Sequence, residues 1–430
     1  MDGASETTDI AIVGAGAAGL AAAIFAAEAI RGARGPARKI VLFEAARRVG
    51  AKILISGGGR CNVTNSEVHP EDFNGAHNPV RNILAAFDEH AAAAWFAALG
   101  VPLKREPSGK LFPVSDSART VVDALVARCR ALGVEMRTDA RVAAVIRAPP
   151  AIVDANPGLA VRYGDREVRA RRVIIATGGR SLPRTGSDGA GWEIVRRLGH
   201  SVTASHPALV PLVLAAPMFH AELSGLAVNV ELSVVIGAKV IDRRIGSMLW
   251  THFGVSGPVA MDASRHWLAA RMRAGPAAVA MRCNFMPGDN FERCEEWILN
   301  AAAEHPRMML RNLLAERVAD RLGAAIVRAC EIDPAIAAGQ LPRDRRRRLV
   351  QALTAFDLPI AGDRGWDHAE VTAGGVPLGE IDYRTMESRR VPGLYLIGEM
   401  LDCDGRIGGF NFQWAWATGY LAGRAAAQPD

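Results

Sequence analysis

Lysine is scarce in this chain: 51 residues are lysine or arginine, and only five of them are lysine. In an alanine-rich sequence that bias is what GC-rich coding produces by itself. The formal net charge of +6 therefore suits an anionic partner without requiring one. Cysteine is sparse too, with Cys61, Cys129, Cys283, Cys294, Cys330 and Cys403 scattered singly. None forms a C-x-x-C pair or a metal knuckle, which argues against a disulfide scaffold and leaves no metal to expect. Long apolar runs are missing as well. The nearest, Pro207–Phe219, is broken by three prolines and falls short of the roughly 18–20 residues a membrane span needs. The opening Met1–Glu6 is acidic and unlike a signal peptide. No internal repeat and no low-complexity linker is visible. A cytoplasmic protein of two or three domains, away from membranes, is the expectation for 430 residues of globular composition.

What is present starts at residue 9. Asp9–Val13 is a short apolar run, followed by Gly14, Ala15, Gly16, Ala17, Ala18 and Gly19 and then an alanine-rich helical stretch. This is G-x-G-x-x-G in the strand–turn–helix context that a dinucleotide site requires. Gly14 permits the turn, Gly16 lets backbone approach a pyrophosphate, and Gly19 lets the helix lie close to the strand. A second strand, Lys39–Glu44, ends in the acidic Glu44, placed to hydrogen-bond a ribose diol and to disfavour a 2′-phosphate.

Two later segments turn a dinucleotide into a flavin. One is Arg172–Ile175 running into Ala176, Thr177, Gly178 and Gly179. The other is Gly393–Ile397 running into Gly398 and Glu399, followed by Gly408, Gly409, Asn411 and an alanine-rich helix. Their order resembles the glutathione-reductase-like FAD superfamily, in which Asp usually stands where this chain has Glu399. The resemblance implies a Rossmann-type FAD domain of α/β class. The helix opening near Asn411 would aim its N-terminus at the flavin edge where negative charge collects on reduction.

A narrower likeness rests on Gly50–Asn65, with Lys52, Gly57, Gly58, Gly59, Arg60, Cys61 and Asn62, and on Ser108–Pro113, Thr185–Gly189, Thr251–Pro258 and Val371–Val376. Through these motifs, and over nearly its whole length, the chain resembles the YhiN-like (aminoacetone-oxidase-like) family of FAD-dependent oxidoreductases. That family implies an FAD domain from residues 1–203 and 368–430, an inserted β-barrel-like domain from 204–285 and 357–367, and a helical subdomain at 286–356. The sequence is compatible: Leu209–Leu214, Asn229–Ile236 and Ala277–Asn284 read as strands and Phe291–Phe356 as helical. Lys52, Gly59, Arg60, Asn62 and Val142 join the glycines and Glu44 as expected cofactor contacts.

Members of the family have been associated with aminoacetone oxidation, steroid double-bond reduction, and conversion of uridine to dihydrouridine in large-subunit ribosomal RNA. The last fits best here. Hydride to one carbon needs a proton for its neighbour, and Cys61 or His252 is a candidate source; each is equally readable as a packing or loop residue. Cys61 lacks the second cysteine of a flavin-disulfide reductase, since position 66 is serine. No second G-x-G-x-x-G is present, so NADH or NADPH as transient donor would use the substrate's own face. Arg343, Arg345, Arg346, Arg347 and Arg348 lie on one predicted helix and offer phosphate contacts to ribosomal RNA or, equally, a solvated face. An oxygen-using amine oxidase and a non-catalytic flavin sensor or assembly factor remain as alternatives. Oligomeric state is left open.

Overall fold

The apolar run before the glycine motif folds as the strand Glu6–Val13, whose last four residues are all buried. It pairs in parallel with Arg166–Ile175 on one side and Ile40–Phe43 on the other. Leu394–Leu396 continues the parallel sheet beyond the first neighbour, and Glu135–Arg137 beyond the second. Strands covered on both faces must be apolar on both, so they read in sequence as unbroken runs rather than alternations. Val142–Arg147 and Leu159–Tyr163 pair with each other, and the second pairs antiparallel with Arg166–Ile175. The computed structural model describes residues 6–33, 37–148 and 158–429, and all statements below concern these.

The helix Ala17–Gly32 buries ten consecutive residues, Ala18–Ala27. The C-terminal helix Phe410–Ala426 packs along it. A Cβ at Gly419 or Gly423 would sit 2.8 and 2.5 Å from the carbonyl oxygens of Ala18 and Ala22. The two helices therefore touch backbone to backbone, which only glycine allows. Rings seal the outer end of this contact: Phe25 stacks on Trp95 at 4.8 Å and Phe96 meets Trp416 edge-on at 5.2 Å.

The chain divides into two units, Met1–Pro207 with Glu370–Asp430, and Ala208–Ala369. The second is built on an antiparallel sheet in the order Phe356–Leu358, Val279–Asn284, Ala227–Ile236, Lys239–Thr251, Gly254–Ser256, Leu212–Leu214, Ile360–Asp363. Its first and last strands flank Pro359 in sequence, so the sheet curls back toward itself as a barrel does. The helices Phe291–Glu304, Leu310–Ala315, Asp320–Ala329 and Arg343–Thr354 share one hydrophobic core with these strands, from Val234 and Met281 to Leu313 and Leu349. The strand Lys239–Thr251 is one the sequence reading did not mark. Among the described residues no helix is long and apolar enough to cross a membrane.

Candidate functional site

Three glycines set the turn after the first strand. Gly14 has φ +103°, and a Cβ there would lie 2.5 Å from Ala176 O. At Gly19 a Cβ would fall 1.9 Å from Gly14 O, which ties the helix to the turn. Gly16 differs, because nothing lies within 4 Å of its virtual Cβ. It caps Ala17–Gly32 with no side-chain hydrogen bond, so the first N–H groups of the helix, Ala17 and Ala18 among them, have no capping side chain. An open approach, free N–H groups and a positive dipole end make a phosphate cradle.

Glu44 sits beside it. Its carboxylate accepts from Ala15 N and Ala46 N, each at 2.9 Å, which fixes its direction while leaving lone pairs for hydroxyl groups. Ala140 N donates to Glu44 O at 2.9 Å, which brings the segment leading to Val142 to the same end of the sheet. A Cβ at Gly186 would lie 3.8 Å from Glu44 Oε1, so the loop after the strand Arg166–Ile175 reaches this end too.

That loop carries polar atoms without partners. Thr177 Oγ1, Ser187 Oγ and, from the loop after the second strand, Asn62 Oδ1 are buried with no hydrogen bond. A Cβ at Gly178 would be 2.8 Å from Ser187 Oγ, so Thr177 and Ser187 are neighbours. Buried polar atoms are nearly always satisfied. Unsatisfied ones beside an open phosphate cradle and a ribose-type carboxylate fit a polar dinucleotide, and the donor set suits FAD.

Glu399 anchors the next part. Lys52 Nζ lies 2.5 Å from Glu399 Oε2 and donates to Ser181 Oγ at 2.6 Å. Ser181 Oγ donates to Glu399 Oε1 at 2.7 Å, and Thr372 N donates to the same oxygen at 2.9 Å. Thr372 Oγ1 in turn accepts from Arg180 N and Ser181 N. Three segments, around Lys52, Ser181 and Thr372, are thus held by one carboxylate, and Gly398 abuts the first helix, with its virtual Cβ 3.0 Å from Ala18 Cβ. Ser181 and Thr372 were not legible in sequence, because lone hydroxyl residues in loops have no spacing to betray them.

Several expected contacts find other partners. Arg60 is paired to Glu106 at 2.6 Å and lies 4.0 Å over the Phe112 ring, so its charge is already used next to the open glycines Gly58 and Gly59. Asn411 clamps Gly405 through both amide atoms at 2.8 Å. Its side chain is structural, and what the helix Phe410–Ala426 offers is its N-terminus, capped by Gly409 without a side-chain bond. Gly408 and Gly409 both have positive φ, and a Cβ on Gly409 would strike Thr64 C at 2.5 Å. Cys61 is fully buried in the core of the first unit. Burial pushes its thiol up to about 12, so it stays protonated at physiological pH.

The remaining candidates lie in the second unit. His252 is exposed in the tight turn between Lys239–Thr251 and Gly254–Ser256. Of the arginine helix, Arg346 pairs with Glu295 at 3.3 Å and Arg348 with Glu331 at 3.3 Å. Arg345 donates to Glu331 O at 2.5 Å, and Arg347 lies 5.3 Å over the Phe291 ring. Arg343, Arg345, Arg347 and Arg348 keep exposed positions, and Arg346 is the half-buried one.

A family model described as the HI0933-like protein Rossmann domain matches residues 8–425. The chain is 33% identical over 420 residues to 3-dehydro-bile acid delta(4,6)-reductase of Clostridium scindens, covering 97% of this chain and 99% of that protein. It is also 33% identical over 417 residues to ribosomal RNA dihydrouridine synthase of Escherichia coli, covering 96% and 97%. Among solved structures, 3-ketosteroid-delta4-(5alpha)-dehydrogenase of Rhodococcus jostii RHA1 aligns with a TM-score of 0.52 at 17% identity, covering 100% of this chain and 98% of that one. That likeness is one of fold.

Proposed function

The chain belongs to the HI0933-like family of FAD-dependent oxidoreductases, and from that premise we propose that it reduces a carbon–carbon double bond, with a uridine of large-subunit ribosomal RNA as acceptor and NADH or NADPH as donor. The observation that carries this reading is the 33% identity, over nearly the whole of both chains, with a ribosomal RNA dihydrouridine synthase. FAD, when bound, would supply two-electron chemistry between the nicotinamide and the double bond. The N–H groups at Ala17 and Ala18 would hold its pyrophosphate, Glu44 would take its ribose hydroxyls, and Thr177, Ser187 and Asn62 would supply polar atoms with no protein partner. The N-terminus of Phe410–Ala426 would favour negative charge on the ring. The proton for the second carbon comes from a group other than the Cys61 thiol, whose burial removes it from contact.

A second reading has one observation behind it. The bile acid reductase is as similar as the RNA enzyme, and by its name it acts on a 3-dehydro-bile acid, a small molecule. Mapping dihydrouridine in large-subunit RNA from a strain lacking the protein separates the two. Loss of one site, restored by the wild-type gene but not by Gly14→Ala/Gly16→Ala, supports the RNA acceptor. An unchanged map rejects it and leaves the small-molecule reductase.

A further inference from the structure

We propose that an extended acidic segment of a partner protein adds as an extra strand to the open edge of Val142–Arg147, seated between that edge and the helix Ala190–Arg197. The inference lies wholly in the first unit and is independent of the acceptor.

The ladder shows which backbone groups are spare. Ala148 N donates to Gly158 O at 2.8 Å, and the pairing continues with Arg147 opposite Leu159 and Ile146 opposite Ala160. In an antiparallel pair, residues bonded to the facing strand alternate with residues that are not. Ala148 and Ile146 therefore bond inward, and Val145 and Arg147 turn their N–H and C=O groups outward. Among the described residues, Val142–Arg147 pairs with Leu159–Tyr163 alone.

A groove of about 470 Å³ follows this edge. Residues 144–147 all border it. Neighbours on a strand face opposite ways, so only an edge can present four in a row. The other wall is one side of the helix end, Ile194, Arg197 and Leu198, spaced three and four apart. An added strand finds main-chain partners on the first wall and side chains on the second. Phosphate groups fit less well, because they accept but do not donate and leave the outward C=O groups unmet.

Arg147, Arg162 and Arg197 border the groove, and no acidic residue does. Two of the three have carboxylate partners, each through one nitrogen. Arg162 Nε donates to Glu167 at 2.8 Å and Arg197 Nε to Glu193 at 3.2 Å. Arg147 gives Nη2 to a neutral acceptor, Arg390 O, at 3.1 Å. A guanidinium has five N–H donors, so Nε fixes Arg162 and Arg197 in place while their Nη groups stay available to a carboxylate on the incoming strand. Arginines along an edge also turn away basic strands, so this edge selects by charge.

The test uses the full-length, FAD-loaded protein and a capped synthetic peptide of about eight residues alternating glutamate with valine. The wild type is expected to bind it at least ~10-fold more tightly than the same peptide with lysine for glutamate. Amide hydrogen exchange at Val145 and Arg147 should slow on binding. Arg162→Ala/Arg197→Ala is expected to weaken the peptide at least ~10-fold, with flavin spectrum and melting unchanged. Arg147→Pro removes an outward N–H that the sheet itself does not use. It should therefore bind about fivefold more weakly than Arg147→Ala. No binding at about 1 mM peptide, equal binding of the lysine peptide, or equal affinity in Arg147→Pro and Arg147→Ala overturns the proposal. So does an oligouridine of the same length that displaces the peptide and is itself weakened by Arg162→Ala/Arg197→Ala, which makes the groove a nucleic-acid site.

Discussion

At Gly14 the chain cannot carry a side chain, since φ is +103° and the nearest atom to a Cβ is a carbonyl oxygen at 2.5 Å. Gly14→Ala is expected to cost about 1–3 kcal/mol and to release FAD, read as lost flavin absorbance in purified protein with a lower melting temperature. Full flavin content would mean the turn does not hold the pyrophosphate. Cys61 leads to the opposite expectation. Its thiol is buried and stays protonated at physiological pH, so Cys61→Ala should leave the pH–rate profile of hydride transfer unmoved. Disappearance of one limb of that profile would restore the thiol as proton donor. The contrast shows what residue-level reading reaches. Glycines in a fingerprint announce a backbone requirement, whereas a lone cysteine says nothing of its depth, and Ser181 and Thr372 say nothing of the carboxylate they share.

The contact between Ala17–Gly32 and Phe410–Ala426 depends on Gly419 and Gly423. Gly423→Ala places a methyl 2.5 Å from Ala22 O, an overpacking expected to cost about 1–3 kcal/mol, measured as a lower urea midpoint with an unchanged slope. Wild-type stability would mean that the helices can part without penalty. Elements with an uninterrupted apolar run or a glycine signature, such as Glu6–Val13 and Ile40–Phe43, were readable beforehand. Lys239–Thr251 was not. Asp242, Arg243, Arg244 and Gly246 interrupt its apolar pattern, and its pairing with Ala227–Ile236 is what makes it a strand. The arginine helix was found as a helix, but its partners Glu295 and Glu331 lie 51 and 17 residues away, beyond any local pattern.

Across the whole molecule, acid is the condition to which the fold should respond. His200 Nδ1 meets Glu380 Oε2 at 2.7 Å and its Nε2 meets Ser388 Oγ at 2.8 Å, joining the two chain segments that make up the first unit. Burial lowers His200 from its ordinary 6.5 despite Glu380. Burial raises Glu380, but hydrogen bonds from Arg390, Ser201 and His200 outweigh it and bring the carboxyl to about 2 from 4.5. Both groups bind protons more readily when unfolded. Their stability is complete above 6.5 and declines as pH falls, first as unfolded His200 protonates and then between about 4.5 and about 2 for Glu380. Melting temperatures across pH should fall in that order, and His200→Gln should flatten the earlier part. A profile identical to wild type would remove His200 from the linkage.

The first unit also has a history written into its chain order. Its central strand Glu6–Val13 and its cradle helix are made early in synthesis, yet the strand Leu394–Leu396 of the same sheet and the helix Phe410–Ala426 that packs on the cradle helix are made last, after the whole of Ala208–Ala369. While the polypeptide is being made, the fingerprint glycines wait on an unsheltered surface, and the second unit is free to fold ahead of them. Flavin capture is therefore expected only after the last helix is made, and truncation anywhere before residue 410 should yield an apoprotein prone to aggregation rather than a weaker enzyme.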